Sequence, residues 1–184
     1  TEDYANFDII LDKNIPLIFF DRVFEHPQCT SVVIDNKAAG YAMTSHLIEE
    51  GRSRIVHLTA SLKRNVYAER LQGYKQALLD HGIAYDEKLV FQNNLGEEAC
   101  KETVKSILKM DPLPDGIFSS NDSSAVACIR ELKLAGIRIP EQIAIGGFNN
   151  EPIATVIEPN LTTIHYPGQE MGEVCATILI RKLG

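Results

Sequence analysis

The stretch "IFSSNDSSAVACIRELKLAGIRIPEQIAIGGFNN", residues 117–150, carries the pattern that decides the fold. A short apolar run, Ile117 to Ser120, stops at Asn121 and Asp122, side chains that accept hydrogen bonds from the free N–H groups at a helix start. A capped helix follows and ends at Gly136. A second apolar run, Ile143 to Phe148, contains two glycines and then turns abruptly polar at Asn149 and Asn150. Strand, helix and strand in so short a span make a parallel crossover, with both strands covered on their two faces.

The same alternation continues on either side. Upstream lie "IPLIFF", with proline near the strand start, and "SVVID", which runs into "NKAAGYAMTSHLIEEG". Asp35 or Asn36 caps that helix and Gly51 closes it. "RIVHLT" is the next strand, followed by a helix with Leu71, Tyr74 and Leu78 on one face that ends at Gly82. "KLVFQ" is another strand, and the helix "EEACKETVKSILKM" has acids in its first turn and lysine in its last, as the helix dipole favours. Downstream come strand "LTTIHY" and a helix begun by Pro167. Tyr4, Phe7, Ile10 and Leu11 add a helical segment at the start. The whole predicts an α/β protein of parallel sheets flanked by helices.

A 184-residue chain that is 45% hydrophobic can bury a core without disulfides or metal. Its net charge of -7 has the wrong sign for a footprint on phosphate backbone, so this chain by itself is not expected to bind nucleic acid. Cys29, Cys100, Cys128 and Cys175 are scattered, with no CxxC pair and no histidine at metal-ligand spacing, which fits reduced thiols in cytoplasm. No apolar run reaches membrane-spanning length and no signal-peptide pattern opens the chain.

In open parallel sheets, ligands sit beyond the carboxyl ends of the strands. The polar residues at those ends are Asp21 and Arg22, Lys63 and Arg64, Asn93 and Asn94, Asn121 and Asp122, and Asn149 and Asn150. Carboxylates, guanidinium groups and amides on one rim suit a small polar molecule with many hydroxyls, or an anion facing the arginines. Each has a plainer role as well: a helix cap for Asn121 and Asp122, a surface pair for Asp21 and Arg22, a turn for Asn149 and Asn150, a buried or snorkelling cation for Arg70.

Taken together, "IPLIFFDR", "VVIDNKAAGYAMTSHLIEEGRSRIVHL", "RNVYAERLQGYKQAL", "DGIFSSNDSSAVACIRELKLAGIRIPEQIAIGGFNN" and "PNLTTIHYPGQEMG" resemble the LacI/GalR family in chain order from Ile15 to the end. The resemblance implies the effector-binding core of a bacterial transcription regulator: two α/β lobes of periplasmic-binding-protein type, joined by crossover strands, with no catalytic residue, metal or cofactor. It places residues 1–53 and 162–184 in an amino-terminal lobe and 54–161 in a carboxyl-terminal lobe, with hinges near Arg52 to Arg54 and Asn160 to Thr162. Relative to the family the chain looks shortened at both ends. The amino-terminal lobe is therefore expected to be incomplete and to self-associate, and operator DNA is expected to be bound only by a helix-turn-helix headpiece outside this sequence. Family members also form homodimers through these lobes.

Carried over position by position, Asp21, Arg64, Arg70, Leu95, Asn121 and Asn149 match ligand contacts, with Asp35 orienting Arg70 and Asn150 shaping the turn. Asn149 stands where the family usually has aspartate, and Arg52 where it often has histidine. Losing that carboxylate implies an effector with a mixed donor and acceptor pattern, or one with negative charge, such as a phosphosugar paired with Arg64. The implied mechanism is lobe closure around the effector, which requires unequal affinity for the open and closed forms. Two other readings share the architecture: a solute-binding protein that feeds a transporter, and a Rossmann-like enzyme. Against the second, no GxGxxG, GxxxxGK[ST] or GxSxG occurs, and the serines near Asp122 have no histidine at a triad position.

Overall fold

The structure is a computed structural model that describes residues 5–23 and 26–183. Its helices are α1 Ala5–Leu11, α2 Asn36–Glu49, α3 Asn65–Asp80, α4 Glu97–Ile107, α5 Asp122–Leu134 and α6 Gly168–Leu183. Its strands are β1 Ile18–Phe20, β2 Thr30–Val32, β3 Ile55–Thr59, β4 Val90–Gln92, β5 Gly116–Ser119, β6 Ala144–Asn149 and β7 Thr162–His165. Every strand pairing is parallel, as the alternation predicts. Strand β4 begins later than its sequence pattern, because Lys88 and Leu89 form a tight 3₁₀ turn, Glu87–Leu89, ahead of it. Asp86 starts that turn by accepting from the Lys88 N–H at 2.9 Å.

The chain divides into two compact units, Thr1–Ile34 with Pro167–Gly184, and Asp35–Tyr166. The terminal unit holds the two-stranded sheet β1-β2, which α6 covers, with a Lys182 Nζ to Thr30 Oγ1 bond of 2.8 Å. Phe7 meets Phe19 edge to face at 5.1 Å. Tyr4, from the expected first helix, lies outside the described residues.

The central unit is a five-stranded sheet of order β4-β3-β5-β6-β7. Strands β3 and β5 are buried along their whole length, as expected for runs covered on both faces. Val56, Leu58, Ile117, Ile143 and Ile145 pack with Cys100, Val104, Ile107, Cys128 and Leu132 of α4 and α5 into one core.

The bounds of these compact units differ from those of the lobes that the motifs imply. Helix α2 and strand β7 belong with the central unit, and the reason for α2 is visible at two glycines. A Cβ on Gly73 of α3 would stand 2.1 Å from the Lys37 carbonyl oxygen, and one on Gly40 of α2 would stand 2.4 Å from that of Arg70. Only glycine lets the two backbones touch, so α2 is locked to α3. The expected hinges are pinned too. Arg52 donates to the carbonyls of Pro140 and Glu141 at 2.9 and 3.2 Å. The Asp115 carboxylate accepts from the N–H groups of Ser53 and Arg54, at 3.0 and 2.8 Å. Leu161 is buried and its N–H donates to the Ala154 carbonyl at 2.9 Å. The chain passes between units at Ile34–Asp35 and Tyr166–Pro167 instead.

Candidate functional site

Because the central strands are all parallel, their carboxyl ends share one rim, and the sheet order fixes which residues are neighbours there. Leu95 follows β4, Arg64 follows β3, Asn121 follows β5 and Asn149 closes β6. Adjacent strands lie about 4.8 Å apart, so the four strand ends span roughly 14 Å, enough to accommodate a mono- or disaccharide. Asp21 follows β1 in the terminal unit, where Arg22 Nε lies 3.9 Å from its carboxylate.

Each rim residue is held locally. Arg64 is the residue before α3; it is exposed, and its guanidinium has no partner among the described residues. Leu95 is buried with φ +59°, in a loop where Asn93 Oδ1 accepts from the Leu95 N–H at 2.7 Å. Asn121 caps α5, accepting from the Ser124 N–H at 2.7 Å. Asn149 and Asn150 both have positive φ, +114° and +56°, so the turn role and the rim position coincide.

Arg70 is 4% exposed and braces the rim from beneath. Its Nη1 donates to the Ser120 carbonyl at 2.9 Å and its guanidinium lies 3.5 Å from the centre of the Phe148 ring, so it ties the residue before Asn121 to the residue before Asn149. The expectation that Asp35 orients Arg70 is corrected. Arg70 Nε donates to Asn36 Oδ1 at 2.9 Å, whereas the Asp35 carboxylate accepts from the Ala38 N–H at 2.8 Å as the cap of α2. An N-cap side chain is spent on its own helix, which leaves the next residue to meet the arginine.

Asp122 is more than a cap. It is fully buried, and its carboxylate accepts from Thr163 Oγ1 at 2.6 Å and from the Glu151 N–H at 2.7 Å. Burial pushes its pKa up against the opposing hydrogen bonds from Thr163 and from backbone, and the Glu151 carboxylate adds to the rise. Gly147 makes room for it, since a Cβ there would stand 2.2 Å from Asp122 Oδ1.

Glu151 was not marked by any motif, yet it stands at the centre of this corner. Its Oε1 accepts from Asn149 Nδ2 at 3.0 Å and its Oε2 from Ser123 Oγ at 2.9 Å. The rim therefore has a carboxylate beside Asn149, supplied by Glu151. Among the described residues no three His, Cys, Asp or Glu side chains gather as a metal site, and no helix is long and apolar enough to cross a membrane.

The chain has matches among known proteins. Residues 44–184 match the periplasmic binding protein-like domain. The chain belongs to that family. Within the family its relatives are LacI-type regulators, as the motifs imply. The HTH-type transcriptional repressor PurR of Vibrio atlanticus is 32% identical over 176 residues, 95% of this chain and 53% of the relative. A sugar-binding LacI-family transcriptional regulator from Escherichia coli, solved with phosphate, superposes with TM-score 0.88 at 30% identity, covering 98% of this chain and 66% of that one. The transcriptional regulator CelR, solved with cellobiose, gives TM-score 0.87 at 30% identity over 95% of this chain and 54% of that one. The chain thus spans about half the length of the curated relatives it matches. The relatives are named as regulators, which points away from an enzyme.

Proposed function

We propose that this periplasmic binding protein-like domain binds a sugar or related small polar effector at the rim of its central sheet. Binding there controls how a helix-turn-helix segment of the same regulator engages operator DNA. The observation that carries this reading is the convergence of Leu95, Arg64, Asn121 and Asn149 on the ends of four adjacent parallel strands, with Arg70 bracing two of them from below. A buried apolar side chain, amides and a free guanidinium are the groups a polyol site uses: one packs on the sugar's C–H face and the others bond its hydroxyls. The acidic chain leaves DNA contact to another segment, and the regulator works in the cytoplasm as a homodimer. In support of self-association, the terminal unit exposes Val174, Leu179 and Ile180 on α6.

Calorimetric titration of the full chain with cellobiose, ribose, glucose and the phosphates of the last two tests the site. Saturable binding that Asn121→Ala and Arg64→Ala each weaken about tenfold or more supports it. Asp21→Ala asks separately whether the terminal unit contributes. Binding that all three variants leave unchanged would place the effector elsewhere. Light scattering at high concentration tests the homodimer, and a monomeric mass throughout would refute it.

A further inference from the structure

Asn149 is an amide with two faces, and what it offers a ligand depends on which face is committed. An ionised carboxylate only accepts hydrogen bonds, so the Asn149 NH2 must turn toward Glu151 Oε1, 3.0 Å away. Its Oδ1 then has no partner among the described residues and is not among the buried unpaired atoms. Glu151 is itself immobilised: Ser123 Oγ donates to its second oxygen at 2.9 Å and its own N–H bonds Asp122 at 2.7 Å. Asp122 is held in turn by Thr163 Oγ1 at 2.6 Å, and the Asn150 N–H donates to that same hydroxyl at 3.2 Å.

The corner thus combines two carboxylates with one outward acceptor, while Arg64 precedes α3 beyond the end of β3 and the buried Arg70 guanidinium, stacked on Phe148, is committed to Asn36 and the Ser120 carbonyl. We propose that Glu151 is a positioning residue that fixes Asn149 as a hydrogen-bond acceptor, so that this end of the site takes a hydroxyl of a neutral sugar and turns away phosphate or carboxylate. The inference rests on the effector site proposed above. It reverses the expectation that asparagine at this position favours an anion, because the charge missing from residue 149 is supplied from residue 151.

A charge-exchange cycle tests it in the full chain: N149D, E151Q and the double variant. N149D places two carboxylates at hydrogen-bond distance, where their like charges repel, and E151Q removes the acceptor that orients Asn149. The double variant restores one acid and one amide with their places exchanged. Neutral-sugar affinity by calorimetry is expected to fall about tenfold or more in N149D and about threefold in E151Q, and to return within about threefold of the parent in the double variant. Each sugar is expected to bind the parent more tightly than its phosphate, with E151Q narrowing that gap.

Ligand-free melting of the same variants reads the pairing alone, with N149D lowering the melting temperature and the double variant recovering it. Additive losses in both measurements, or N149D binding as tightly as the parent, would overturn the inference. So would a parent that prefers the phosphates. If no sugar binds the parent at all, the effector reading fails, while the melting cycle still decides whether Glu151 and Asn149 act as a pair.

Discussion

Acidification from pH 7 to pH 5 is expected to remove about 2 kcal/mol of stability from the central unit through His57 alone. His57 lies in the middle of β3 at 0% exposure, stacked at 5.1 Å on Tyr74 and tilted at 4.6 Å against Phe118. Burial drives its pKa from 6.5 to about 3; the bond to the Phe118 carbonyl opposes that shift and the Arg70 charge reinforces it. Because the folded value is depressed, the unfolded chain takes up the proton first. The neutral ring's stability is fully present above the unfolded value, about 6.5, and drains away as pH falls toward about 3. Linkage across that window gives about 2 kcal/mol by pH 5 and a ceiling of about 5 kcal/mol near pH 3. Urea unfolding at pH 7 and pH 5, followed by circular dichroism, measures this in the parent and in His57→Phe. Phenylalanine keeps an aromatic ring in the stack but cannot titrate. The parent should lose about 2 kcal/mol more than the variant between the two pH values, near 1 M in urea midpoint. Equal losses would mean that His57 is protonated in the fold and that its burial has been misread.

Three further substitutions probe the elements that build the rim. Gly73→Ala drives a methyl into the Lys37 carbonyl and should cost about 3 kcal/mol or more in urea unfolding, because backbone cannot step aside. Asp122→Asn puts an NH2 against one of two donors, the Glu151 N–H or the Thr163 hydroxyl, and should cost about 1–3 kcal/mol at pH 7. The raised pKa of Asp122 gives its ionisation the opposite sign to that of His57: the contribution is fully present below the unfolded carboxyl value and is lost as pH rises through the folded one, so the variant should lack this dependence. Arg70→Met leaves Asn36 Oδ1 and the Ser120 carbonyl without their arginine, and should lower both stability and effector affinity. An unchanged sugar affinity in Arg70→Met would show that the rim holds its shape without the arginine.

The parallel sheet and its rim were legible because they rest on local chemistry. Apolar runs ended by Asn121, or by Gly51 and Gly82 at φ +86° and +70°, mark where elements stop, and in a parallel sheet every such stop after a strand falls on the same side. The unit boundary was not legible, because it depends on Gly40 meeting Arg70 and Gly73 meeting Lys37, contacts between residues about 30 apart that no local pattern announces. Glu151 escaped for a related reason. An exposed-looking acid after a turn is the commonest kind of surface residue, and only the fold brings Ser123 and Asn149 to its two oxygens. Asp35 shows the converse: a helix-cap reading, correct on its own, already excluded the second role assigned to it.

Backbone strain supplies an independent mark of the same rim. Five non-glycine residues among those described have positive φ, and three of them, Leu95, Asn149 and Asn150, stand just at or beyond strand carboxyl ends of the central sheet, while Asp21 follows β1 in the terminal unit. Asparagine and aspartate tolerate that region; leucine does not, at roughly 1 kcal/mol or more. Leu95 is kept there by the Asn93 side chain bonding its N–H, while the Asn94 side chain bonds that of Gly96 at 2.9 Å. If the loop only had to turn, Leu95→Gly would relieve the strain and lose just part of the buried contact. If the loop exists to present a side chain at the rim, the same change should leave stability within about 1 kcal/mol yet weaken sugar binding about tenfold, through the lost apolar face. Both losses together would indicate a packing role; a binding loss without a stability loss would show that the strain serves the ligand.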